Sequence, residues 1–274
     1  MSTWCCIRNL KMIGFNHLGN LGQLGNQMFQ YASLKGIAGK HGYQYCIPKN
    51  SVVTDALGNE LRTELFDVFN LNVNIQKIET DQYLQEPSFN YSENFVNSCP
   101  DNVSLWGFFQ SEKYFKHIEK EIRKDFTFKD EIVEDSESII KDIFDDPIAI
   151  HIRRGDFLIN SGNHYNQSLE YYENALSKFD SDRQVVIFSD DPKWCMSQDL
   201  FSSDRFIVSE SAGPYHDLYL MTQCSDFIIA NSTFSWWGAW LANRGNVIAP
   251  KKWFGSNNSH LDTKDLYPDD WKIL

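Results

Sequence analysis

Four side chains at one point of the chain could do ionic chemistry together. The run Ile148-Ala-Ile-His-Ile-Arg-Arg-Gly-Asp-Phe157 starts apolar and then delivers His151, Arg153, Arg154 and Asp156 within six positions. Two adjacent guanidiniums suit a phosphate, because arginine presents its donors as a rigid fork that matches phosphate oxygens. Two more clusters follow the same logic, a hydroxyl and carboxylates at Ser189-Asp190-Asp191 and a hydroxyl-rich turn at Asn231-Ser-Thr-Phe-Ser235. Arg153 and Arg154 with Ser232, Thr233 and Ser235 would form a diphosphate clamp. The hydroxyl-rich turn enters a helix, whose first N–H groups favour an anion. Asn231 belongs to that turn, and Ser189 and Asp190 would meet ribose or base. The competing reading of Asn231–Ser235 is a plain helix cap, and that of Trp236, Trp237 and Trp240 is packing against a sheet.

Each cluster directly follows a short apolar run, so the elements that position them read as buried strands. Such runs recur at 148–152, 184–188, 205–208, 226–230 and 246–249, with helical patterns at 168–179, 192–198, 214–224 and 234–243 between them. This alternation predicts an α/β unit with a parallel sheet, and the three clusters then gather at one sheet edge. In such sheets ligands bind beyond the carboxyl ends of the strands. The first half is less regular. A strand at 11–17, a loop with Gly19, Gly22 and Gly25, and a helix from Met28 suggest a second α/β unit. That glycine spacing fits neither G-x-G-x-x-G nor a P-loop. Further strands are expected at 43–47 and near 104–109, with a helix over 113–126. An acidic helix at 129–146 marks the junction, giving domains 1–145 and 146–274.

Bulk composition excludes some classes. The net charge of -12 argues against a nucleic-acid binder, which needs Lys and Arg to neutralise phosphates. The six cysteines form no C-x-x-C pair and read as free thiols of a reducing compartment. No run approaches the roughly 18 apolar residues of a spanning helix, and no signal-peptide pattern follows Met1, so a cytoplasmic protein is expected.

Four stretches resemble the α-1,2-fucosyltransferases of glycosyltransferase family 11: Gly22-Gln-Leu-Gly-Asn-Gln-Met-Phe-Gln-Tyr-Ala32, His151-Ile-Arg-Arg-Gly-Asp-Phe157, Phe188-Ser-Asp-Asp191 and Asn231-Ser-Thr-Phe-Ser-Trp-Trp-Gly-Ala-Trp-Leu241. They occur in family order and span nearly the whole chain. The chain departs from the pattern where the usual G-G-L-G-N-Q reads Gly22-Gln-Leu-Gly-Asn-Gln27. The resemblance implies an α/β, GT-B-like fold of two Rossmann-like domains facing across a cleft. It implies GDP-β-L-fucose as donor, the 2-hydroxyl of a terminal galactose as acceptor, inversion to an α-1,2 linkage, and no cofactor or metal. Arg154, Asp156 and His151 become the catalytic candidates, with Arg153, Arg154, Ser189, Asp190, Asn231, Ser232, Thr233 and Ser235 on the donor and Gly25, Asn26 and Gln27 on the acceptor side or cleft. Asp156 is either the proton acceptor or only the anchor of an arginine. His151 either orients the arginine loop or touches the nucleotide. Bacterial surface glycans such as O-antigen units are the implied acceptors, which allows peripheral association with the cytoplasmic membrane. Two other readings remain open: a transferase of a different nucleotide sugar, and a non-catalytic nucleotide- or carbohydrate-binding protein of the same fold.

Overall fold

The computed structural model describes residues 11–49, 52–54, 60–140 and 146–274. The chain divides into two compact units, Met1–Phe66 with Leu71–Asp125 and Asp67–Asn70 with Phe126–Leu274.

In the first unit the elements run β1 (Met12–Gly14), α1 (Leu24–His41), β2 (Gln44–Ile47), β3 (Val52–Thr54), β4 (Glu60–Arg62), α2 (Leu65–Val68, shared with the second unit), β5 (Asn74–Ile75), β6 (Tyr83–Gln85), α3 (Glu93–Asn97), β7 (Val103–Trp106) and α4 (Glu119–Asp125). The main sheet has the order β5-β2-β1-β7-β6, parallel throughout, and β3 and β4 form a separate antiparallel pair. The chain leaves β1 toward β2 on one side and returns to β7 on the other, so the topological switch point lies between β1 and β7. Helix α1 begins at Leu24 and ends at His41, and Gly42, with a φ of 65°, supplies the left-handed C-cap. Gly25, Asn26 and Gln27 therefore sit in its first turn, not in the glycine loop where the sequence pattern put them. The expected helix over 113–126 is two 3-10 turns followed by α4.

The second unit is more regular: α5 (Asp130–Ile140), β8 (Ile148–Ile152), α6 (Gly155–Ile159), α7 (Leu169–Leu176), β9 (Val185–Ser189), α8 (Pro192–Met196), β10 (Phe206–Val208), α9 (Pro214–Gln223), β11 (Asp226–Ile228), α10 (Thr233–Ala242), β12 (Val247–Ala249) and β13 (Lys272–Ile273). All its strand pairs are parallel, in the order β10-β9-β8-β11-β12-β13. Five strands are those expected, and β13, too short to carry a pattern, is the sixth. Every residue of β8 is buried, as a strand covered on both faces requires. Trp236 and Trp237 are fully buried and Trp240 nearly so, which makes the tryptophan run of α10 core. The junction falls at Asp125–Phe126, ahead of the expected 145, because α5 packs on α9. The short piece Asp67–Asn70 joins this unit through Phe69, whose ring lies 4.8 Å from Phe126 and 5.2 Å from Phe128. No helix among the described residues is long and apolar enough to cross a membrane.

Candidate active site

The switch point of the second sheet lies between β8 and β11, and the loops beyond these two strands carry two of the three polar clusters; β9 adds the third. Arg153 reaches Asp156 with Nη2 at 2.8 Å and Asp190 with Nη1 at 3.2 Å. The Arg154 backbone N–H donates to Asp190 Oδ1 at 2.8 Å, and its Nε donates to Asp191 Oδ2 at 3.1 Å. Its guanidinium lies 3.8 Å from the centroid of the Trp194 ring, a cation–π contact that fixes the plane of the fork. Two arginines thus face three carboxylates, and both guanidiniums are held by protein oxygens.

The supports of this cluster are local. Asp191 caps α8 by accepting from Trp194 N at 3.2 Å, and its own N–H donates to Ser189 Oγ at 3.0 Å. Pro192 follows at the first helical position, which needs no N–H. Gly155 is required by close approach: a Cβ there would stand 2.6 Å from Asp190 Oδ2.

Several expected ligand contacts take other work. Asn231 is buried; its Nδ2 donates to Tyr165 O at 2.8 Å and Trp253 O at 2.7 Å, and its Oδ1 accepts from Gln167 Nε2 at 3.1 Å. That amide ties the loops after β8, β11 and β12 together, because three chain segments meet around its buried side chain with polar groups to satisfy. Ser235 is fully buried, and its hydroxyl donates to backbone oxygens of Ala230 and Ser232. Ser232 and Thr233 remain available: Ser232 is the N-cap of α10 and makes no side-chain capping bond. Asp190 engages both oxygens with the arginine segment instead of standing clear for ribose or base. His151 is 4% exposed, with Nδ1 lacking a partner among the described residues and the ring 5.3 Å from Phe234. Burial, helped by Arg153, pushes its pKa down to about 3, so the ring is neutral and shielded, unsuited to cycling a proton with solvent.

In the first unit, Gln27 is fully buried; it donates to Gly22 O at 3.2 Å and Arg62 O at 2.8 Å and accepts from Glu64 N at 2.8 Å. It clamps the loop as structure. Gly25 is buried and Asn26 half-buried, and Asn26 Oδ1 accepts from Gln110 Nε2 at 2.9 Å. Gly22, at φ 96°, leaves room for the Asn26 amide beneath it.

The sequence reading gave Asp191 no role within its cluster and missed Trp194, Gln167 and His164. Asp191 was legible as the second acid of Ser189-Asp-Asp191 before a proline. His164 stacks on Phe157 at 4.1 Å and 9°, and Asp156 and Arg153 act on it electrostatically. No spacing rule finds that pair.

Known proteins resemble this chain along most of its length. It is 27% identical to an O-antigen biosynthesis glycosyltransferase, WbnK, of Escherichia coli, covering 90% of this chain and 97% of that one. It is 29% identical to an alpha-1,2-colitosyltransferase of Escherichia coli, covering 91% and 95%. A galactoside alpha-(1,2)-fucosyltransferase 1 of Rattus norvegicus is 28% identical over 82% of this chain and 63% of that protein. Among solved structures, POFUT1 in complex with GDP-fucose superimposes with a TM-score of 0.53 at 14% identity, covering 86% of this chain and 95% of that one. That likeness speaks for the fold, which is α/β and GT-B-like, with a parallel sheet in each unit. The model of Glycosyl transferase family 11 matches residues 1–274, and the chain belongs to that family.

Proposed function

We propose that this glycosyltransferase moves L-fucose from GDP-β-L-fucose to the 2-hydroxyl of a terminal galactose, with inversion to an α-1,2 linkage and without a metal ion. The observation that carries the reading is the arginine pair Arg153–Arg154 at the β8–β11 switch point, where the loop after β11 leads into α10. When the anomeric carbon–oxygen bond breaks, its electron pair stays on the diphosphate. Charge-stabilising groups aimed at the leaving group are worth most there. Arg153 and Arg154 supply fixed cations, and Ser232 and Thr233 supply hydroxyl donors. As a diphosphate takes the guanidiniums, Asp156 loses its ion pair and becomes free to accept the proton of the attacking hydroxyl. In the resting chain it anchors Arg153 at 2.8 Å. Asp190 and Asp191 keep the arginine segment in place throughout.

The acceptor would be a galactose-terminated glycan of the O-antigen type, met at the cytosolic face of a membrane. The relative named as an alpha-1,2-colitosyltransferase supports a second reading, in which the donor sugar is colitose. One assay decides: the purified protein is given GDP-fucose or a colitose donor with a panel of galactosides, with and without chelator. Fucosylated galactoside at equal rate in chelator is the expected result. Product from the colitose donor alone replaces the donor, and product lost in chelator ends the metal-free mechanism.

A further inference from the structure

The switch point of the first sheet carries a fixture that the reaction above does not use. Beyond β1, Asn16 locks the chain: its N–H donates to Ser104 Oγ at 3.0 Å, and its amide exchanges two hydrogen bonds of 2.9 Å with Ile78. The next residue, His17, lays its ring 4.8 Å from Trp106 at 74° and 5.3 Å from Tyr83 at 43°. Beyond β7, Gly107 turns at φ 155°, a conformation closed to other residues, and a Cβ there would meet Glu86 Cβ at 2.5 Å. Glu86 Oε2 accepts from the N–H groups of Phe108 and Phe109, both at 2.9 Å. Burial holds that carboxyl up at about 7, against the three hydrogen bonds that favour its charge. A desolvated acid and a glycine-only turn are costly local devices. Their visible product is a pair of phenylalanines, Phe109 buried in the core and Phe108 42% exposed.

We propose that His17, Tyr83 and Trp106, with the exposed Phe108 two residues beyond Trp106, form a sugar-binding shelf that takes the terminal galactoside ring of the acceptor. This rests on the galactoside-transfer reading above. A pyranose has an apolar C–H face that stacks on aromatic rings, with hydroxyls around its rim for polar neighbours. The shelf offers both. Tyr83 is 50% exposed, Trp106 and His17 are partly exposed, and Asn20 Nδ2 lies 3.4 Å from His17 Nδ1. Burial and Lys77 lower the pKa of His17, so the ring is neutral and can both donate and accept at its two nitrogens. Binding sites are typically such mixtures, mostly aromatic or apolar with a few placed polar groups. The nucleotide diphosphate is a poor occupant, because none of the four ring-bearing residues carries a fixed cation. A protein partner is also a poor occupant, because a stable interface needs about 800 Å² per side, far more than four rings present.

The test is ligand binding to the full chain. Methyl β-galactoside is titrated into wild type, Tyr83→Ala, Phe108→Ala and Trp106→Ala, and saturation transfer to its ring protons is read by NMR. GDP affinity is measured on the same samples by calorimetry. At least a tenfold weakening of galactoside binding in each variant, with GDP affinity unchanged, supports the shelf. Wild-type galactoside affinity in Tyr83→Ala and Phe108→Ala overturns it. These two decide even if Trp106→Ala fails to fold, since both change exposed side chains. A wild type that binds no galactoside also overturns it. A wild type that binds galactoside but not GDP sinks the donor reading and leaves the shelf standing.

Discussion

Two switch points in one chain have the same topology and opposite chemistry. Beyond β8 and its neighbour β9 stand two guanidiniums and three carboxylates; at the ends of β1 and β7 stand His17, Trp106 and Phe108, with one carboxyl buried behind them. A parallel sheet that changes direction opens a crevice wherever it does so, whatever the side chains. The loops then decide what fits. The charged edge suits a leaving group on which charge grows, and the aromatic edge suits a neutral ring. Fold alone would assign both edges the same task.

The contrast can be broken first at its charged side. Arg154→Ala is expected to lower kcat/KM for transfer by about a thousandfold, the upper range for removing one charge-stabilising donor. Arg154→Lys should recover little, since an ammonium lacks the fork that meets Asp191 and the face that stacks on Trp194. Rates within tenfold of wild type for the alanine variant would detach the arginine pair from the chemistry.

Next in size is the scaffold of that edge. Asn231→Ala leaves the buried carbonyls of Tyr165 and Trp253 without their donor, at a cost of about 1–3 kcal/mol for each group left unsatisfied. Chemical denaturation should show the second unit destabilised by that order. A fall in GDP affinity without loss of stability would mean that the amide meets the nucleotide instead.

The aromatic edge is probed through Glu86. Its folded pKa, about 7, is raised above the ordinary 4.5. The native state therefore holds the proton longer than the unfolded chain does. Stability from this group is complete below pH 4.5 and is lost as the pH rises through 7. Melting temperatures taken at pH 5 and pH 8 should differ more for the wild type than for Glu86→Gln, which keeps an acceptor and cannot titrate. Equal differences would show that Glu86 does not govern the turn.

The smallest effect is expected at His151. A ring already neutral above pH 3 has no titration to contribute, so His151→Phe should leave the pH profile of transfer unshifted between pH 5 and 8. Loss of an acid limb in that variant would restore His151 as a proton carrier.

The charged edge was largely legible in the sequence because each of its clusters directly follows a strand. His151–Asp156, Ser189–Asp191 and Asn231–Ser235 could be placed on one edge from alternation alone. What their side chains do was less legible. Asn231 bonds to residues 66 and 22 positions away, and Gln27 to one 35 away, so their duties depend on loops that no local pattern specifies. The glycine stretch misled for a different reason. Gly25 is compatible with a helix when packing supports it, and α1 starts one residue before it. The aromatic edge was unread, since Trp106 and Phe108 look like ordinary strand residues until Gly107 and Glu86 turn the chain.

The ion pairs of the charged edge bear on which anions it would accept. Its cations are already neutralised from within, so an incoming anion gains only by replacing Asp156, a carboxylate that is covalently tethered and always present. A lone inorganic phosphate, competing against Asp156 on an arginine that Asp190 also holds, is a weak displacer. Two linked phosphates on one ligand arrive as a tethered pair of their own and meet both arginines at once. On the donor reading proposed above, this edge would reject the abundant small anions of a cell and admit nucleoside diphosphates, a discrimination made by the protein's own acids before any sugar is recognised.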